Sequence, residues 1–151
     1  MPQSVPPEQI QPASLDDYLE VMSKAVFQSG MSWRVVEAKW PGIREAFQDF
    51  DVHKVADFSI FDLETLAQDK RVIRNRRKLA AIVSNAQRMI ELEREHGSFR
   101  SYLRSHGDFD ATLTALRKDF KFMGPTSTYF FLYVVGEEVP PHEEFEATYR
   151  K

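Results

Sequence analysis

A run of basic residues, KRVIRNRRK at positions 70–78, could bind an anion in this otherwise acidic chain. The formal net charge is −3, so the clustering of six cations stands out. A solvated helix start would also explain the run, but Lys and Arg at a helix N-terminus oppose the helix dipole. A visiting phosphate would remove that conflict. We predict that the anion contacts Arg74, Arg76 and Lys78.

A second stretch, KFMGPTST, could hold a phosphate at the start of a helix. A glycine lets the backbone approach a ligand closely, and a proline is tolerated in the first helical turn. The free amides that follow point out of the positive end of the helix. Ordinary capping is the alternative, because Thr and Ser are preferred at any helix start. The predicted phosphate-binding residues are Lys121, Gly124, Thr126, Ser127 and Thr128.

A third stretch, FQSGMSW, joins a polar loop to a large aromatic residue. Trp33 could offer a stacking surface beside a hydrogen-bonding side chain. The alternative is that Trp33 and Trp40 are both core residues, which is the more common place for tryptophan. The polar part of the loop consists of Gln28, Ser29 and Gly30.

Several kinds of catalytic chemistry are excluded by composition. The chain has no cysteine, so it has no disulfide, no thiolate nucleophile and no Cys-rich zinc site. Its four histidines lack the mutual spacing of a metal site, and only His142 has neighbouring carboxylates. The start lacks the pattern of a secretory signal, and no apolar run is long enough to span a bilayer, so we expect a cytoplasmic protein with no membrane contact.

The elements that position these stretches are predicted to be helices around one core. With 151 residues and 42% hydrophobic content, one domain is the expectation. We predict a flexible proline-rich arm over 1–13, a helical domain over 14–136 and an acidic tail over 137–151 that wraps the surface. The fold class is all-α, although 129–135 could pass as a buried strand by composition.

Hydrophobic periodicity gives the approximate bounds of the main helices. The longest is predicted over 78–95, with an apolar stripe that Gly97 terminates. A short helix over 33–40 should end at Pro41, because proline in a helix interior removes a hydrogen bond. The last helix is predicted over 127–135.

Three stretches together resemble the 3-methyladenine DNA glycosylase I family of the helix-hairpin-helix glycosylase superfamily. They are VFQSGMSWRVVEAKWPGIREAFQDFD, VIRNRRKLAAIVSNAQRMIELEREHGSF and FKFMGPTSTYFFLYVVG. The resemblance spans about residues 18–136, and its most specific parts are FQSGxSW and VIRNxxKL.

The resemblance implies an enzyme of base-excision repair. Such enzymes rotate a methylated purine out of double-stranded DNA and hydrolyse its N-glycosidic bond. The KFMGPTST turn would be the hairpin that grips the DNA backbone, with a monovalent cation beside it and no other cofactor. The polar loop at Ser29 and Gly30 would enter the duplex. A monomer acting at the bacterial nucleoid is expected. The implied base pocket consists of Phe27, Gln28 and Trp33.

The chain also departs from the family pattern. Ala25 stands at the position that matches the family's base-recognising glutamate, and the zinc-binding cysteines of some members are absent. The superfamily's catalytic aspartate would fall after Gly136, where no motif matches. The catalytic group is therefore unassigned, and the neighbouring carboxylates are only weak candidates: Glu137, Glu138 and Glu143.

Three hypotheses stay open at this point. The first is a DNA glycosylase that removes alkylated purines, and the second is a DNA-binding module of the same fold that recognises damage without cleaving a base. The third is a helical interaction domain. A carboxylate beside Trp33 would favour the enzyme over the binding module. A DNA affinity that falls steeply with salt would exclude the third hypothesis.

Overall fold

The computed structural model describes residues 6–149, which form an all-helical fold around one core. This confirms the all-α prediction, and no strand occurs within that range. A single 3-10 turn, Gln48–Phe50, connects the second and third helices. The helices are α1 (Leu15–Gln28), α2 (Trp33–Ala46), α3 (Val52–Ala56), α4 (Ile60–Leu66), α5 (Arg76–His96), α6 (Phe99–Leu103), α7 (Phe109–Asp119), α8 (Pro125–Val134) and α9 (His142–Tyr149).

The core is built around α1 and α5, which pack against each other and against α8, α3 and α6. Leu19 and Met22 of α1 and Ile82 and Met89 of α5 are fully buried, as the helical spacing of their apolar residues predicts. Each such side chain stabilises the fold by about 1.5–3 kcal/mol through burial. None of the helices in the described part of the chain is long and apolar enough to cross a membrane.

The predicted end of the second helix at Pro41 is wrong. Helix α2 continues through Pro41 to Ala46. Tertiary contacts hold the segment helical: Trp40 stacks on Phe50 with ring centroids 5.4 Å apart, and Ile43, beyond the proline, is fully buried. This packing offsets the cost of about 3 kcal/mol that an interior proline imposes.

Two helices, those predicted over 78–95 and 127–135, each begin two residues earlier than predicted. Helix α5 begins at Arg76 because the Asn75 side chain accepts a hydrogen bond from the Lys78 amide, and it ends at Gly97, whose φ is 86°. Helix α8 begins at Pro125, which occupies its first position after Gly124.

Both terminal segments pack on α8. The Ile10 amide donates a hydrogen bond to the Val134 carbonyl at 2.8 Å, so the described part of the proline-rich arm lies along the end of α8. The acidic tail contains α9, whose buried Phe145 lies against Tyr129 with ring centroids 4.4 Å apart. The remaining parts of the predicted arm and tail, residues 1–5 and 150–151, lie outside the described residues.

Candidate nucleic-acid interface

The FQSGMSW and GPTST stretches, far apart in the chain, meet in one open cleft of about 480 Å³. The end of α1 and the start of α2 form one side, and the first turns of α8 form the other. We call it the Trp33 cleft. Its lining residues are Ala25, Gln28, Ser29, Gly30, Trp33, Thr126, Ser127 and Phe130.

Two aromatic rings form the apolar part of the Trp33 cleft. Trp33 is 42% exposed and meets Phe130 edge to face, with ring centroids 6.3 Å apart and planes at 86°. Trp40, in contrast, is buried in the core and its Nε1 donates a hydrogen bond to Glu20 at 2.8 Å. The structure thus separates the two tryptophans, and only Trp33 presents its ring to a ligand.

Phe27, predicted to line the base pocket, lies beneath it. The side chain is fully buried, and its ring contacts those of Trp40 and Phe47 at centroid distances of 6.1 and 6.3 Å. Its neighbour Gln28 does line the Trp33 cleft, and the Gln28 Nε2 is buried with no hydrogen-bond partner in the described part of the chain. An unpartnered buried donor is costly, so a ligand acceptor in the cleft would relieve it.

The start of α8 supplies two further unpartnered donors. The amides of Thr126 and Ser127 lie in the first turn and therefore have no intrahelical acceptor, and within the described residues no side chain caps them. The positive end of the helix dipole adds to their attraction for an anion. Gly124 itself has an ordinary φ of −74°, and a Cβ built there would meet nothing within 4 Å, so neither backbone strain nor packing requires glycine.

Thr128, predicted to bind phosphate, is occupied within the protein. Its amide donates to the Gly124 carbonyl at 2.9 Å, and its hydroxyl donates to the Met123 carbonyl at 3.2 Å. The side chain is fully buried. Thr128 therefore stabilises the turn before α8 and does not face a ligand.

The basic run divides into paired, buried and free cations. Arg76 donates to Glu64 at 2.5 Å, and this hydrogen bond lowers the pKa of the carboxyl group. Lys78, predicted to contact a phosphate, is only 5% exposed and points inward to main-chain carbonyls. The ion pair of Arg76 explains why a cation is tolerated at the N-terminus of α5. Among residues 6–149, Lys70, Arg74 and Arg77 are the members of the run that are exposed and without an ion pair, and the two arginines flank the start of α5.

Sequence reasoning missed one residue that lines the Trp33 cleft, Phe130, and one buried residue of α5, Asn85. Phe130 lies inside a continuous apolar run, so nothing in its sequence context distinguishes it from a core residue. Asn85 lies three residues after Ile82 and four before Met89, and so falls on the apolar face of α5. A polar residue at such a position signals a specific hydrogen-bonding role, and the structure shows one, described below.

A profile of the Methyladenine glycosylase family matches residues 12–118, well over half of the chain. The chain belongs to this family. DNA-3-methyladenine glycosylase 1 of Escherichia coli is 32% identical over 130 residues, covering 72% of this chain and 70% of the relative. The DNA-3-methyladenine glycosylase of Haemophilus influenzae is 31% identical with the same coverage.

The methyladenine glycosylase fold is shared with solved structures. The Staphylococcus aureus 3-methyladenine DNA glycosylase I, described in its recognition of 3-methyladenine, superposes with a TM-score of 0.75 at 28% identity. That match covers 85% of this chain and 80% of the other. The family profile ends before α8, so the likeness at the α8 N-terminus depends on the structural match and on the KFMGPTST motif.

The three weak catalytic candidates of this family member lie away from the Trp33 cleft. Glu137 binds Arg104 through both carboxylate oxygens, at 3.0 and 3.1 Å, and Glu138 lines a recess beside it. Both follow the C-terminus of α8, whereas the cleft is at its N-terminus, roughly 15 Å away at 1.5 Å per residue. Glu143 is exposed on α9. Among the described residues no carboxylate lines the Trp33 cleft, whose lining includes Ala25, the residue that the resemblance matches to the family's glutamate.

The zinc site of some family members does not fit this chain. There is no cysteine in the sequence, and residues 6–149 contain no group of three His, Asp or Glu side chains that could hold a metal ion. Zinc prefers cysteine and histidine ligands in structural sites. The groups that the interface offers a ligand are its aromatic rings, the amides of α8 and the free cations.

Proposed function

We propose that this protein is a DNA glycosylase of base-excision repair that releases alkylated purines such as 3-methyladenine from double-stranded DNA. The observation that carries the proposal is the Trp33 cleft itself. It places an exposed indole beside the unpartnered amides of Thr126 and Ser127, which is the arrangement that a flipped nucleotide needs. The names of the relatives from Escherichia coli and Haemophilus influenzae support the same reaction.

Binding of the DNA backbone is assigned to the α8 N-terminus and the free arginines. Two amides and the helix dipole hold one phosphate in position without reading sequence. Arg74 and Arg77 add exposed charges before and within the first turn of α5, which lies beside the α1–α2 loop. With the backbone fixed at this point, a base rotated out of the stack can enter the Trp33 cleft.

The cleft selects the base by its charge. Alkylation at N3 or N7 leaves the purine nucleotide positively charged, and a cation over an indole face gains about 0.5–2 kcal/mol that a neutral base lacks. The Gln28 amide supplies a donor for an acceptor atom at the edge of the base. Trp33 and Gln28 therefore favour a damaged purine over a normal one.

The reaction requires little assistance from the protein because the leaving group is already activated. Water adds to C1′ of the deoxyribose while the bond from C1′ to the purine nitrogen breaks. The bonding electrons neutralise the positive charge of the base, and the water loses a proton to solvent. This chemistry is compatible with a cleft that holds no carboxylate, since expulsion of a neutral base needs no general acid.

A second candidate function is recognition of damaged DNA without base release. The specific observation in its favour is that Ala25, and no acidic residue, occupies the matching position in the cleft. A protein of this kind would bind flipped or missing bases and leave the glycosidic bond intact. It would share every DNA contact with the glycosylase and differ only in turnover.

The decisive experiment measures free bases released from methylated genomic DNA by the purified protein, separated by chromatography. A 3-methyladenine peak that grows with time and is lost in Trp33→Ala supports the glycosylase. Absence of the peak, together with preferential binding to a duplex carrying an abasic-site analogue, supports the recognition module. A DNA affinity that does not fall with salt would contradict both.

A further inference from the structure

Helix α5 carries two buried polar side chains on the face that it turns toward the core. Lys78 is 5% exposed and Asn85 is 1% exposed. They are seven residues apart, so they lie on the same side of the helix, separated by roughly 10 Å at 1.5 Å per residue. Buried polar groups destabilise a fold unless they are hydrogen-bonded, so each requires a specific partner.

The partners of Lys78 are the carbonyls at the end of α1. Its Nζ donates to the Phe27 carbonyl at 3.1 Å and to the Ser29 carbonyl at 2.5 Å. These contacts fix the beginning of the α1–α2 loop, residues 29–32, which forms one side of the Trp33 cleft. Burial lowers the pKa of Lys78, consistent with its enclosure away from solvent. Its ammonium group faces carbonyls, so it contributes no phosphate contact.

The partner of Asn85 is the main chain of Lys121, in the α7–α8 turn, residues 120–124. Asn85 Oδ1 accepts from the Lys121 amide at 2.8 Å, and Asn85 Nδ2 donates to the Lys121 carbonyl at 3.1 Å. The next residue, Phe122, has a φ of 61°, a conformation that is strained for an aromatic residue. The two hydrogen bonds from α5 therefore help to hold a strained turn directly before the α8 N-terminus.

We infer that Lys78 and Asn85 are positioning residues that use α5 as a rigid spacer between the two sides of the Trp33 cleft. Lys78 fixes the α1–α2 loop, and Asn85 fixes the α7–α8 turn. Because both are anchored to one helix, the indole of Trp33 and the amides of α8 keep a constant separation before DNA arrives. The consequence for base release rests on the proposed function, whereas the anchoring itself does not.

The anchoring is tested on the free protein by hydrogen exchange with mass spectrometry. Lys78→Met should accelerate exchange at residues 29–32 at least tenfold and leave residues 120–124 unchanged. Asn85→Leu should accelerate exchange at residues 120–124 at least tenfold and leave residues 29–32 unchanged. Lys78→Arg, which keeps a donor for the carbonyls, should restore protection of the loop. The matched control is Thr112→Val, which removes another buried side chain's hydrogen bond to a carbonyl, that of Asp108, outside the cleft.

Unchanged protection of both segments, with only the melting temperature lowered as in Thr112→Val, would overturn the inference. This outcome would say nothing against the proposed function, because no DNA is present. Conversely, the exchange result can hold even if no base is ever released.

The effect of each variant on DNA recognition is measured from its affinity for duplexes and its rate of 3-methyladenine release. For Lys78→Met, the affinity for undamaged duplex and its dependence on salt should equal those of the unaltered protein, while preference for an abasic-site duplex and the rate of 3-methyladenine release fall at least tenfold. A fall of about one in the salt slope would instead mean that Lys78 contacts a phosphate, and would overturn its assignment. Asn85→Leu should weaken binding to all duplexes, because it loosens the turn that presents the amides of α8.

Discussion

The rings of Trp33 and Phe130 meet edge to face across an open cleft, although one begins α2 and the other lies within the apolar run of α8. Their centroids are 6.3 Å apart, within the range of favourable aromatic pairs. Phe130 supports the indole from one side and leaves Trp33 42% exposed. This relationship makes Trp33 a platform for a planar ligand and supports the proposed capture of a rotated base.

Replacing Trp33 with alanine should abolish release of 3-methyladenine and spare binding to undamaged duplex. In the proposed function the indole supplies the stacking surface for the base, whereas the phosphate contacts come from other residues. The fold should tolerate the change because the side chain is partly exposed. Free bases released from methylated DNA and duplex affinity are measured in parallel. Phe61→Ala, which removes an aromatic side chain that is 83% exposed outside the cleft, is the matched control and should change neither.

Replacing Gly124 with leucine should weaken binding to all duplexes alike, by roughly tenfold or more if one phosphate contact is lost. A Cβ at this position meets nothing within 4 Å and the φ is −74°, so the melting temperature should hardly change. The added side chain would obstruct the approach of the backbone to the amides of Thr126 and Ser127. Fluorescence anisotropy with damaged and undamaged duplexes provides the measurement. Equal affinity in both proteins would remove the α8 N-terminus from the interface.

Replacing Arg74 and Arg77 together with glutamine should lower the slope of log affinity against log salt by about two, because each free arginine that meets a phosphate contributes about 0.9. Arg76→Gln is the matched control, since Arg76 is already bound to Glu64. We expect it to change the slope far less. Affinity is titrated from low to moderate salt on one undamaged duplex. Equal slopes for the double variant and the control would show that the free arginines face away from DNA.

The ion pair of Asp69 and Arg71 should give the fold a measurable dependence on acid. The hydrogen bond from Arg71 lowers the pKa of the Asp69 carboxyl below its usual value. Its stabilisation is therefore present above the unfolded-state pKa, near pH 4, and is lost as pH falls through the lower folded-state value.

Because the Arg71 side chain is 47% exposed, solvent screening limits the contribution of this pair. Asp69→Asn should reduce the free energy of unfolding by about 0.5–1 kcal/mol at neutral pH, and the difference from the unaltered protein should shrink below about pH 4. Chemical denaturation at a series of pH values between 7 and 2 checks this. A difference that stays constant across the series would mean that ionisation of Asp69 is not the cause.

The sequence predicted the helices whose signals are local. The apolar stripe and Gly97 specified α5, and the Gly-Pro-Thr-Ser string specified the start of α8, because periodicity, capping and glycine conformation act within a few residues. The predicted helix end at Pro41 was wrong because it also relied on a local signal alone. The stacking of Trp40 on Phe50, which overrides the proline, joins two elements and cannot be read from either alone.

The sequence predicted which segments lie at the candidate site, but only some of the side chains that line it. The structure brings together the segments that contain Trp33, Gln28 and Gly124: the first two residues line the Trp33 cleft, and Gly124 directly precedes the helix that forms its other side. Phe27 was predicted to line the base pocket and Lys78 to contact a phosphate, but both side chains are buried, because the direction of a side chain depends on what packs around the helix.

The amino-acid sequence specifies which chemical groups are present: an acidic chain with one basic run, a glycine-containing helix start and no cysteine. Folding specifies which of these groups face solvent. Lys78 turned inward to carbonyls, Arg76 was paired with Glu64, and Trp33 remained open beside Phe130. Exposure and pairing could not be predicted because they depend on partners that folding brings from distant parts of the chain, whereas residue type and local spacing do not.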